Sequence, residues 1–85
     1  MKEEVKSRVD SAIKSLNMFV SDVYISTEDG VKNLNVELDS NEIIDVERIT
    51  EASKIINPII DELDLIEDEY VLDIHSKVKG DGEDE

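Results

Sequence analysis

A chain of 85 residues with 23 acidic and 9 basic side chains, net charge −14, is too short for two cores and long enough to fold without disulfides or metal, so one acidic domain is expected. No cysteine and a single histidine exclude a disulfide frame, thiolate chemistry and a His-based metal cluster, and fit a reducing cytoplasm. The negative balance repels phosphate backbones and anionic lipid, so no nucleic-acid groove is expected, and no apolar run is long enough for a membrane span or a signal peptide.

Along the chain, Val5, Val9, Ala12, Ile13 and Leu16 recur at the spacing of one helical stripe, with Glu3 and Glu4 where the helix dipole favours anions. This predicts a first helix, ended by Asn17 in the left-handed conformation that asparagine tolerates well. From Met18 the period drops to two. Phe19, Ser21, Val23 and Ile25 should fall on one side of a strand, with Val20, Asp22 and Tyr24 on the other. Thr27 to Gly30 read as a turn, the Asp29-Gly30 pair taking positive φ cheaply. In the next strand Leu34, Val36 and Leu38 point to the dry side, and Asn33, Asn35 and Glu37 to the wet one.

Asp39, Ser40, Asn41 and Glu42 form a polar connector, and Asp45 is the expected N-cap of a helix from about Val46 to Leu63. Val46, Ile49, Ser53, Ile56, Ile60 and Leu63 make its core stripe, widened by Ile55 and Ile59 as suits a helix lying across a sheet. Pro58 removes one helical amide and crowds the Lys54 carbonyl, so a kink is expected there, or a fresh short helix capped by Asn57. A third strand follows, with Tyr70, Leu72 and Ile74 inward and Val71, Asp73 and His75 outward. Residues 80–85 carry glycine and charge without an apolar anchor and are expected to be a disordered acidic tail after a domain spanning 1–79.

The fold class is therefore α+β: a two-layer α-β-β-α-β sandwich with two helices on one face of a three-stranded sheet. If the third strand neighbours the second, the helical crossover makes the pair parallel. The acidity is concentrated late, since residues 1–40 carry 8 acids and 5 bases and residues 41–85 carry 15 and 4.

No catalytic set is visible. The serines have no partner beyond His75, and catalysis would require a pocket around that residue. Asp61, Glu62, Asp64, Glu67, Asp68 and Glu69 crowd six carboxylates together, but Leu63, Leu65 and Ile66 interrupt them without the glycine turn of a calcium loop, so they read as a solvated connector and no metal site. Gly30, Gly80 and Gly82 make no nucleotide fingerprint, so no cofactor is expected. The element order resembles KH-like RNA-binding folds, whose recognition needs a GXXG loop and positive charge; both are missing. What remains is the strand face opposite the helices, where Asp22, Glu37 and Asp73 place one carboxylate per strand among Val20, Tyr24, Val71 and His75. Like charges on adjacent strands weaken a sheet, and tyrosine with carboxylates supplies an anchor and complementary charge for a basic protein.

The stretches Leu16-Asn17-Met18-Phe19-Val20-Ser21-Asp22-Val23, Leu34-Asn35-Val36-Glu37-Leu38-Asp39, Ile44-Asp45-Val46-Glu47-Arg48, Ser53-Lys54, Asn57-Pro58-Ile59-Ile60-Asp61 and Tyr70-Val71-Leu72-Asp73-Ile74-His75-Ser76 occur in an order and spacing that resemble the N-terminal domain of the ribosome maturation factor RimP family, from about Val5 to Ser76. The resemblance implies the same α+β order, no enzymatic activity, and a role in late assembly of the small ribosomal subunit through contact with a basic ribosomal protein. By position, Asp22 and Asp73 match the family's acidic strand residues, and Glu37 enters on charge alone. RimP-like proteins continue into an SH3-like barrel through a Ser-Pro-Gly element, where this chain has Ser76-Lys77-Val78 and an acidic tail, so an isolated domain or a shortened relative is expected. Partner-binding residues are thus expected to be Asp22, Asp73, Glu37, Tyr24 and His75, in a cytoplasmic monomer. The other reading of the same charge is a free-standing acidic interaction domain that mimics nucleic acid.

Overall fold

A computed structural model describes residues 2–63 and 69–77. Helix α1 (Lys2–Ile13) runs into a short 3-10 turn (Lys14–Leu16), followed by strand β1 (Phe19–Glu28), strand β2 (Val31–Asp39), helix α2 (Val46–Leu63) and strand β3 (Tyr70–Ser76). The sheet order is β1-β2-β3, with β1 and β2 antiparallel and β2 and β3 parallel. This is the expected two-layer α-β-β-α-β arrangement, and placing the crossover strand beside β2 makes the sheet mixed. The expected tail at 80–85, and Asp64, Leu65, Ile66, Glu67 and Asp68 of the acidic connector, lie outside the described residues.

Local chemistry accounts for the element ends. Asn17 sits at φ 62 and ψ 37 and donates its amide to the Lys14 carbonyl, closing the 3-10 turn. At the hairpin, Asp29 and Gly30 have φ of 53 and 81, the two positive values of a tight type I′ connection, so β1 extends through Thr27 and Glu28 up to the turn. Asp45 caps α2: its carboxylate accepts the Arg48 amide at 2.9 Å, and its carbonyl accepts the Ile49 amide. Arg48 then donates to the carbonyls of Leu16 and Ile43, tying the β2–α2 connector to the end of the first helical segment.

The core lies between the sheet and both helices. Val5, Val9 and Ile13 of α1 and Ala52, Ile56 and Ile60 of α2 cover Val20 and Val23 of β1 and Leu34, Val36 and Leu38 of β2. Leu72 and Ile74 of β3 pack against this cluster while remaining half-buried.

Four expectations are corrected. The β1–β2 register shifts between Val20 and Asp22, and this bulge resets the alternation, so Val20 and Val23 both face the helices. Phe19 consequently turns outward and is 45% exposed. Ile25 keeps its core-side register opposite Leu34 but is exposed, as are Thr27, Glu28 and Val31 near the hairpin end. Val46 opens α2 and is 80% exposed, because the buried stripe of that helix begins only at Ala52. Finally, α2 runs unbroken through Pro58, with no new helix capped at Asn57; the Asn57 side chain instead donates back to the Ser53 carbonyl at 2.8 Å. Lys54 and Pro58 are both on the exposed side, where solvent can take the carbonyl hydrogen bond that the proline cannot make.

Candidate functional site

With both helices on one side, no described element packs on the opposite face of the sheet, and the strand register arranges that face in rows. Asp22, Glu37 and His75 form one row, Tyr24, Asn35 and Asp73 the next, and Ser26, Asn33 and Val71 a third. Every residue expected at the partner-binding surface except Val20 therefore stands on one continuous patch. The bulge that turns Val20 into the core also leaves Asp22 directly opposite Glu37, the like-charge pairing that sheets normally avoid.

The three carboxylates differ in their surroundings. Asp22 sits within 3.0 Å of the Lys2 ammonium, which reaches over from the first turn of α1, and it also accepts the Val23 amide at 2.8 Å. The Lys2 hydrogen bond first, and the Val23 amide after it, hold its carboxyl below the ordinary aspartate value, against a smaller opposing effect of desolvation. Asp22 is thus partly a structural residue, holding the Val23 amide beside the bulge. Asp73 has the imidazole of His75 for a neighbour, with Nδ1 at 3.5 Å, and its side chain is about half exposed. Glu37 has no cationic partner among the described residues.

Aromatic and amide groups complete the patch. The Tyr24 and His75 rings meet edge to face at 6.4 Å, reaching across β2. Asn35 lies beneath them at only 5% exposure. Its amide nitrogen donates to the Tyr24 carbonyl at 3.3 Å, the Ser26 hydroxyl at 3.0 Å and the Asn33 carbonyl at 3.2 Å, so the floor of the patch is braced from within the sheet. Alternation alone placed Asn35 on the outer face, but nothing local marked it as the buried polar centre, because that depends on a strand standing on either side. Lys2 as the partner of Asp22 was likewise invisible, being set by the angle at which α1 crosses β1.

Chemically, the patch offers negative charge, an open aromatic surface and few donors. His75 has a carboxylate beside it, and no serine or threonine hydroxyl is among its hydrogen-bond or ion-pair partners. Among the described residues no three His, Cys, Asp or Glu side chains are grouped to hold a metal ion, and no described helix is long and apolar enough to cross a membrane.

A family model, the RimP N-terminal domain, matches residues 8–77. The match covers α1 from Arg8 onward and all three strands with α2, so it includes every row of the patch. The chain belongs to this family of ribosome maturation factors.

Proposed function

We propose that this RimP-family domain serves ribosome maturation without chemistry of its own, binding the immature small ribosomal subunit in the cytoplasm by docking its outer sheet face on a basic ribosomal protein. The observation that carries the reading is the row structure of that face: three carboxylates from three strands, ringed by Tyr24, Val71 and His75, on a surface that no described element covers. Concentrated negative charge speeds encounter with a cationic protein and repels competing nucleic acid. Exposed Tyr24 and Val71 stand among the carboxylates, an aromatic and an apolar contact that a protein partner can use and that mimicry of a phosphate backbone would leave idle, which favours protein docking over mimicry of nucleic acid.

Co-sedimentation with immature small subunits, at low and then raised salt, tests the proposal. The wild-type chain should pellet with the particles, and Glu37→Lys with Asp73→Lys should abolish this, while Glu51→Lys on the exposed side of α2 should leave it nearly unchanged. Retention of the double variant, or equal loss with Glu51→Lys, would refute the outer face as the docking surface.

A further inference from the structure

The outer face holds two carboxylates without a lysine or arginine partner among the described residues, and one of them shares a register row with an exposed aromatic residue. Asp22 is engaged by Lys2, whereas Asp73 meets only His75 and Glu37 meets no cation among the described residues. Tyr24 stands across Asn35 from Asp73, two strands and therefore about 10 Å apart at the backbone, and the His75 ring is in contact with both. Tyr24 is 42% exposed, and its edge-to-face contact with His75 occupies at most one face of the ring. Between them the Asn35 amide nitrogen is engaged by the Tyr24 carbonyl, the Ser26 hydroxyl and the Asn33 carbonyl, so its donor hydrogens are not turned toward an incoming cation.

Resting on the reading of this face as the docking surface, we infer that it selects arginine over lysine in its partner. A guanidinium laid on Tyr24 keeps its planar stacking surface, while its fork of N–H groups donates to the Asp73 carboxylate and Glu37 adds a second negative group beside it. Lysine brings the same charge as a compact, strongly hydrated ammonium, with neither plane nor fork. The occupant is accordingly an arginine-bearing segment of a basic protein, because bare positive charge would leave Tyr24 unused.

The test is fluorescence anisotropy of the whole chain with two synthetic peptides, alternating Arg-Gly and alternating Lys-Gly, of equal length and charge. The Arg-Gly peptide should bind about two- to fivefold more tightly, the size expected of one solvent-exposed cation–ring contact. Tyr24→Leu should shrink the difference to the part carried by the Asp73 fork; Tyr24→Phe, which keeps a ring, should preserve it, and circular dichroism checks that both variants fold. Equal affinities in the wild type, no binding of either peptide, or a preference undiminished by Tyr24→Leu would overturn the inference. Discrimination between the peptides without any co-sedimentation would sink the ribosomal reading and sustain this one; co-sedimentation with indifferent peptides would do the reverse.

Discussion

Asp10, in the last full turn before α1 tightens, accepts the backbone amide of Val20 at 2.6 Å, so the helix lying over the sheet also closes the opening of its edge strand. Asp10 additionally pairs with Lys6 one turn earlier, which holds the carboxylate over β1. Asp10→Ala should therefore destabilise the fold by about 1–3 kcal/mol, the range for leaving a partly buried amide without its charged acceptor. Urea unfolding gives the number, and Asp10→Asn should recover part of it. A loss within experimental error would mean that solvent serves Val20 equally well.

Acid sensitivity should report on Asp22. Because its carboxyl titrates below the ordinary aspartate value in the folded state, its contribution to stability is complete above the unfolded value near ~3.9 and is lost as pH falls through the lower folded value. The stability difference between wild type and Asp22→Asn should then be largest near neutrality and shrink below about pH 4. If the gap at pH 6 persists unchanged at pH 2.5, the Lys2 contact is not what lowers the group.

Core and rim positions should separate sharply. Val36 is fully buried at the centre of the sheet, so Val36→Asp, which buries an unpaired carboxylate, should unfold the domain. Ile43→Asp, at a site 87% exposed, should shift stability by no more than about 0.5 kcal/mol. Thermal melts followed by circular dichroism distinguish the two; a stable Val36→Asp variant would remove that residue from the core.

Pro58 should be a correctable flaw. It interrupts the hydrogen-bond ladder inside an otherwise continuous helix, on an exposed side where its ring buries little. Pro58→Ala is expected to raise the unfolding free energy by about 1–3 kcal/mol, as measured from the urea midpoint. A decrease would reveal packing of the ring that outweighs the missing bond.

These positions also show how far the sequence could be read. Asn17, Asp29-Gly30 and Asp45 act within a few residues of themselves, through left-handed backbone or a local cap, and each was legible from its neighbours. The apolar stripes of both helices and of β2 were legible for the same reason, since periodicity is a local property. The bulge after Val20 was not. Strict alternation puts Phe19 and Val20 on the wrong faces while placing Asp22 to Ile25 correctly, and only the odd three-residue step from Val20 to Val23 hinted that one residue was inserted. Of the patch, the residue types were visible, but its rows were not, because the pairing of Glu37 with His75 depends on β3 lying beside β2. At Pro58 the two outcomes expected were a kink or a fresh helix, and the fresh helix does not form: α2 stays one element, with Ile56 and Ile60 buried on either side of the proline.

The parallel pairing of β2 with β3 has a consequence for the order in which the molecule matures during synthesis. Asp22, Tyr24 and Glu37 belong to an early hairpin, whereas Asp73 and His75 arrive on the last strand, after a complete helix has crossed the sheet. A nascent chain still waiting for Tyr70 to leave the ribosome can form the hairpin, yet it displays the patch without Asp73 and His75, and non-local parallel strands join slowly. On the docking reading proposed above, recognition through this face waits for β3, so chains that still lack it do not compete with finished ones.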